Sequence, residues 1–291
     1  MRTYSAMNPI AVAVQLLLTA GITAFCMEPV LLCLSLCTAM AFFIVKNGTG
    51  HKGFHLFALG FPLLVALLNP LWNQHGTTVL FFLNNRAVTK EALCYGAFAG
   101  IRLSAVLYWC RIFSDLMTSD KLFYLLRFFS PKLALIFSMS VRNLHLFRQQ
   151  MHKIQQAQKA VGLYRDNHLL DDIRGGIRVF SILITWALEN GIITAASMEA
   201  RGYGIGRRTS CTQFRWKRQD IMLLFSALIF AGTVIALIAA GSLNQQFYPL
   251  MQAPSHNLRW AAVAAYAVLA SLPLLHEGKE ALIWYRLKSN I

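Results

Sequence analysis

Five stretches of this chain, Asn8 to Phe25, Pro29 to Val45, Phe54 to Trp72, Ala92 to Phe113 and Ile221 to Gly241, are apolar over the roughly 17 to 25 residues that a helix needs to cross a hydrocarbon core. A sixth, Leu258 to Leu275, is also adequate. A bilayer offers the backbone no water, so segments of this kind fold as helices that satisfy their own N–H and C=O groups. Composition agrees: 56% of the 291 residues are hydrophobic and 13% are charged, against about a quarter charged in a soluble chain. The expected fold is an all-α integral membrane protein with six transmembrane helices. The first window starts late, has no basic residue ahead of it beyond Arg2 and lacks a small-residue cleavage site, so it reads as a retained span.

Charge placement gives the expected topology. Lys46 and Lys52 lie between the second and third spans, and Lys279, Arg286 and Lys288 lie in the C-terminal tail. The link from Ser242 to Asn257 carries no charge. Under the positive-inside rule both termini are cytoplasmic. The segment Ser114 to Asp220 is then cytoplasmic too, and it holds sixteen of the twenty-seven Lys and Arg residues behind the net charge of +15. Three regions follow: residues 1–113 with four spans, 114–220 on the cytoplasmic face, and 221–291 with two spans and a basic tail.

Two stretches of the middle region, Leu122 to Val141 and Gly176 to Met198, are apolar enough to pass for spans. If only the second crossed, Arg207, Arg208, Arg215, Lys217 and Arg218 would be external; if both crossed, Arg142, Arg148, Lys153, Lys159, Arg165 and Arg174 would be. Either outcome opposes the charge rule. The expectation is therefore amphipathic helices along the inner face of the membrane. Pro131 should start one and Gly162 end it, with Asp171 and Asp172 preceding the next at its positive dipole end.

Catalytic patterns are missing: there is no GK[ST] phosphate loop, no HExxH and no GxSxG. Gly202, Gly204 and Gly206 follow an apolar helix rather than a strand, which removes the dinucleotide reading. The eight histidines are scattered, and the six cysteines form no CxxC pair and sit mostly in apolar windows. No metal, cofactor, enzyme activity or nucleic-acid partner is expected, because membrane topology accounts for the basic charge.

Two arginines need explanation. Arg102 lies inside a span, where a charge is by default a functional-site hypothesis. Its own helix offers Glu91 and Asp115 only at a distance, so its partner is either another helix of the bundle or a membrane partner. Gly96, Ala97, Gly100 and Ala105 on that helix permit close backbone approach, again within the bundle or to a partner. Arg201 sits in Ser197-Met198-Glu199-Ala200-Arg201-Gly202-Tyr203-Gly204, a glycine-ended helix terminus. It either caps the helix's negative end and reaches headgroups, or offers its fork of donors to a carboxylate. Glu199, on roughly the opposite face, is expected to bond within the chain.

An ordered set of motifs spans Asn69 to Asp220. It comprises Asn69-Pro70-Leu71-Trp72, Gly76 to Phe82, Val88-Thr89-Lys90-Glu91-Ala92, Arg102, Gln155-Gln156-Ala157-Gln158-Lys159-Ala160-Val161-Gly162, Ala195 to Tyr203, Arg208-Thr209 and Asp220. The set resembles the transmembrane T component of energy-coupling factor transporters, the CbiQ/EcfT family. The resemblance implies a scaffold that couples two cytoplasmic ABC ATPases to a membrane-embedded S component, importing a vitamin or metal ion across a bacterial or archaeal inner membrane. It also implies two long coupling helices, Phe123 to Gly162 and Gly176 to Gly202, each ending in an Ala-Arg-Gly motif whose arginine docks on one ATPase. Ala200-Arg201-Gly202 matches that motif. Ala160-Val161-Gly162 departs from it, with valine in place of arginine, and Lys159 and Arg165 are the nearest cations. A lysine is not equivalent to the arginine fork. The alternative function, a self-contained secondary transporter, would need a midplane site built from broken helices and intramembrane charges.

Overall fold

The computed structural model describes residues 4–50, 52–73, 76–83, 86–162, 169–206, 214, 216–243, 245 and 258–289. Their elements in chain order are α1 (Pro9–Phe25), α2 (Pro29–Asn47), α3 (Lys52–Trp72), β1 (Val79–Leu83), β2 (Arg86–Thr89), α4 (Lys90–Leu116), α5 (Ser119–Phe129), α6 (Pro131–Ala160), α7 (Leu169–Ala200), α8 (Arg218–Ala239) and α9 (Leu258–Ser289). They form two compact units, one from residues 1–122 and 214–291, the other from residues 123–213, with the boundary inside α5.

The first unit is a six-helix bundle. α1 packs against α4 and α8, α2 against α4 and α9, and α8 against α9. α3 lies chiefly on α4. The helices start where local chemistry dictates: Pro9 and Pro29 stand in the first turns of α1 and α2, and the Asn8 side chain accepts from Ile10 N at 3.0 Å. Asp220 serves two helices at once. One carboxylate oxygen accepts from Lys217 N at 3.0 Å at the head of α8, and the other accepts from Asn8 N at 3.1 Å at the head of α1. At the far end of α4, Lys121 of α5 donates to Ser5 O at 2.6 Å and Leu116 O at 2.9 Å, and burial lowers its pKa.

One group of polar side chains inside the bundle bonds within itself, as suits an environment without water. Ser35 Oγ of α2 receives Trp109 Nε1 of α4 at 3.0 Å and lies 2.8 Å from Tyr266 Oη of α9. Thr23 of α1 completes the cluster, 3.0 Å from Ser35 Oγ and 2.7 Å from Tyr266 Oη. All four residues are fully buried. Interhelical bonds of this kind contribute about 0.6 kcal/mol each on average, so the cluster fixes which helices meet more than it adds stability.

Gly96 and Gly100 pack α4 onto α3. A Cβ at Gly100 would lie 2.5 Å from Pro62 Cα, and one at Gly96 would lie 2.7 Å from Asn69 Cβ. Of the two roles open to these glycines, contact within the bundle is the one the structure shows.

Several sequence expectations shift. The chain is helical but carries one antiparallel hairpin, β1 with β2, pairing Phe82 with Ala87 and Leu83 with Arg86. Its base is held to α4 by Glu91, which accepts from Thr78 Oγ1 at 2.7 Å, and by Lys90 N donating to Thr78 O at 3.0 Å. The expected coupling helix from Phe123 is two helices, broken at Ser130. The ring of Pro131 disfavours a helical residue before it, and Ser130 is extended at φ −155°, ψ 117°. Pro131 begins α6 and Gly162, at φ 71°, ends it. α7 starts at Leu169 rather than Gly176, so Asp171 and Asp172 stand inside its first turn.

Six helices among the described residues have the length and apolarity to cross a membrane: α2, α3, α4, α7, α8 and α9. The count matches the expectation but the set differs, with α7 in place of the 17-residue α1. α1 spans about 26 Å at 1.5 Å per residue, at the short end of the crossing range. It is packed inside the bundle, whereas only 6% of the apolar stretch of α7 is buried.

The second unit is built on α6 and α7. Phe147 of α6 meets Trp186 of α7 edge to face, with ring centroids 5.6 Å apart. N-terminal to Phe147, α6 shares a cavity with the part of α7 that follows Trp186. The two helices therefore run in opposite directions, and their C-termini lie at opposite ends of the pair. Large apolar side chains stand exposed along both, among them Ile136 and Leu144 on α6 and Ile177, Leu188 and Ile192 on α7.

Candidate coupling tips

The ends of α6 and α7 share a left-handed glycine whose N–H bonds the carbonyl three residues earlier. At α7, Gly202 occupies the left-handed region at φ 78°, its N–H bonds Glu199 O at 2.9 Å, and Tyr203 N bonds Met198 O at 3.0 Å. This is the Schellman arrangement, which satisfies carbonyls a helix end would leave orphaned. Arg201 is the cap residue, its N–H on Ser197 O at 3.2 Å and its side chain exposed. At α6, Gly162 N bonds Lys159 O at 3.0 Å and Val161 N bonds Ala157 O at 3.1 Å. Val161 is the cap residue there and is 74% exposed.

Ala200 and Ala160 precede the two caps and carry no bulk that would crowd them. Lys159 and Glu199 hold equivalent places two residues before Val161 and Arg201, both exposed. Among the described residues the Glu199 carboxylate makes no hydrogen bond or ion pair, in contrast to the bond expected within the chain. Arg165, Arg207, Arg208 and Arg215 lie outside the described residues.

Sequence reasoning missed what flanks the α7 tip. Between α6 and α7 is a cavity of about 480 Å³. Arg142 of α6 and Arg201 both line it, with the amides of Asn143 and Asn190 and the hydroxyls of Thr194 and Ser197. Thr194 Oγ1 donates to Asn190 O at 2.7 Å. Among the described residues no carboxylate lines it. Arg142 lies 59 positions before Arg201 in the chain, and only the register of α6 on α7 brings them together.

Arg102 lies half-buried on α4, and among the described residues its guanidinium has no hydrogen bond or ion pair. The carboxylates of its own helix are engaged elsewhere: Glu91 with Thr78, and Asp115 with Asn47 at 2.8 Å and Arg111 at 3.5 Å. A second charge pair was not anticipated. Glu28, fully buried at the head of α2, meets Arg259 Nη2 from the first turn of α9. Breaking such a pair leaves an uncompensated buried charge and costs several kcal/mol, about 3–5.

Among the described residues, six helices long and apolar enough to cross a bilayer define a multi-pass membrane protein. The family model of the CbiQ cobalt transport proteins matches residues 4–211. The chain belongs to that family. It is also similar to the energy-coupling factor transporter transmembrane protein EcfT of Listeria innocua serovar 6a, 29% identical over 187 residues that cover 60% of this chain and 71% of the relative.

Proposed function

We propose that this chain is the scaffold and energy-coupling subunit of an importer, carrying motion from two cytoplasmic ATPases to a membrane-embedded S component that captures a vitamin or metal ion. The chain itself performs no covalent chemistry in this reading. The observation that carries it is the exposed Arg201 on a Schellman-capped helix end, the form a docking tip must take. The turn fixes the backbone of Arg201, the planar fork loses less entropy per hydrogen bond formed than an ammonium would, and a bidentate pair keeps its geometry while both bodies move.

The termini and the region from α5 to the head of α8 are cytoplasmic in this reading, with α6 and α7 along the inner face of the membrane, because the alternatives place five or six of that region's sixteen basic residues outside. The antiparallel pairing puts the Val161 tip and the Arg201 tip at opposite ends, one for each ATPase. Each tip lies about 20 Å along its helix from the Phe147–Trp186 contact. Closure of the ATPases on ATP then turns α6 and α7 about that contact, and their exposed apolar faces tilt or release the S component. Arg102 bonds either another helix or the S component.

The test is co-purification of the detergent-solubilised chain with the two ATPases, followed by ATP-driven uptake in reconstituted vesicles. Arg201→Ala should insert normally and lose assembly or uptake. Normal complex yield with normal uptake in that variant overturns the reading.

A further inference from the structure

The cavity beside the α7 tip belongs to neither helix alone. It is a space of about 480 Å³ whose walls combine two guanidinium groups, two side-chain amides and two hydroxyls with the apolar Met139, Leu146, Ile193 and Met198. Two like charges facing one space, with no carboxylate among the described residues that line it, repel, and the repulsion is relieved when an anion enters. The volume far exceeds the roughly 10–15 Å³ that a single water needs on the same measure. That is too large for a lone ion and in the range of a site that takes several groups of a partner. The methionines suit such a role, since unbranched thioether side chains reshape around an incoming segment.

We infer that Arg142 is a second anion-recognition residue of the α7 tip, and that the cavity takes an acidic segment of the docking ATPase with its carboxylate between Arg142 and Arg201. The inference rests on the docking role proposed for Arg201 and adds to it. Arg201 alone makes the tip a single contact at the end of a helix. Arg142, on the other helix of the pair, makes the docked carboxylate a tie between α6 and α7, so the partner reads their mutual position as well as the tip. The amides of Asn143 and Asn190 supply donors for the remaining lone pairs of the carboxylate or for the backbone carbonyls of the same segment.

The experiment uses the full chain in neutral detergent with the purified ATPases and measures association at low and high ionic strength. Arg142→Ala and Arg142→Gln should each weaken association about tenfold at low salt, with smaller salt dependence than the wild type. Arg142→Lys should recover part of the loss. In the variant carrying both Arg142→Ala and Arg201→Ala, the loss should be smaller than the product of the single losses, because both groups address one anion. Retention volume and helix content of each variant check the fold. Wild-type association of correctly folded Arg142→Ala and Arg142→Gln, with Arg201→Ala impaired, overturns this inference and leaves the docking role intact. Wild-type association in all three overturns both. A loss that appears only in bilayers containing phosphatidylglycerol, and not in neutral detergent or phosphatidylcholine, identifies the anion as a lipid headgroup and also overturns the inference.

Discussion

The ends of α6 and α7 share one closing bond and carry different side chains at the cap. Both close on a left-handed glycine whose N–H bonds a carbonyl three residues earlier, yet one presents valine and the other arginine. Backbone and side chain therefore separate two jobs. The glycine cap sets where a tip ends and how firmly, and the cap residue sets what chemistry it offers. In the proposed docking role the arginine tip engages a carboxylate by charge, whereas the valine tip brings no charge of its own. The two proposed ATPase contacts should then respond differently to salt, the arginine end weakening more than the valine end.

The largest effect expected from this contrast is at Arg201. Arg201→Ala should lower ATPase association by about 2–5 kcal/mol, the usual cost of removing one partner of a buried charge pair, while Val161→Ala should cost under about 1.5 kcal/mol of apolar burial. Equal losses at the two tips would erase the contrast. Next come the caps. Gly162→Ala and Gly202→Ala should each cost about 1–2 kcal/mol of helix-end stability, read by thermal unfolding. The cost is nearly pure backbone strain, since a Cβ at Gly162 meets nothing and one at Gly202 lies 3.6 Å from Ile205 Cδ1. Unequal costs would mean that the turns are less alike than their hydrogen bonds. Phe147→Leu removes the edge-to-face pair and should cost about 0.5–1.5 kcal/mol. It should reduce uptake per ATP hydrolysed without weakening assembly; a matching fall in assembly would remove the contact's role as pivot. The smallest effect is at Val161→Arg, where association should stay level or tighten by under about 1 kcal/mol. Loss of assembly would show that the surface facing Val161 is itself apolar.

The features legible in the sequence are those written in one short window. Apolar runs announce spans, and Pro131, Gly162 and Gly202 announce helix ends by their own backbone restrictions. The β1–β2 hairpin escaped because its strands flank Asn84-Asn85 between two membrane helices, where an apolar strand reads as a fraying span. The break between α5 and α6 was hidden because both flanks are apolar and only Ser130-Pro131 marks it. Glu28 and Arg259, and likewise Arg142 and Arg201, are joined by packing between distant segments. No local period encodes such a meeting. α7 shows a subtler limit: its composition satisfies every criterion for a membrane span, so charge placement alone motivates the reading along the inner face.

The bond from Asn8 N to Asp220 joins positions 212 apart in the chain. A ribosome adding about 5–20 residues per second makes α1 roughly 10 to 40 seconds before the residue that completes its head exists. Through that interval α1 carries a face meant for α8 with nothing yet to cover it, and the α6–α7 pair is synthesised first. A nascent chain arrested before Asp220 should therefore be the form in which this protein most needs a chaperone or insertase at its first helix.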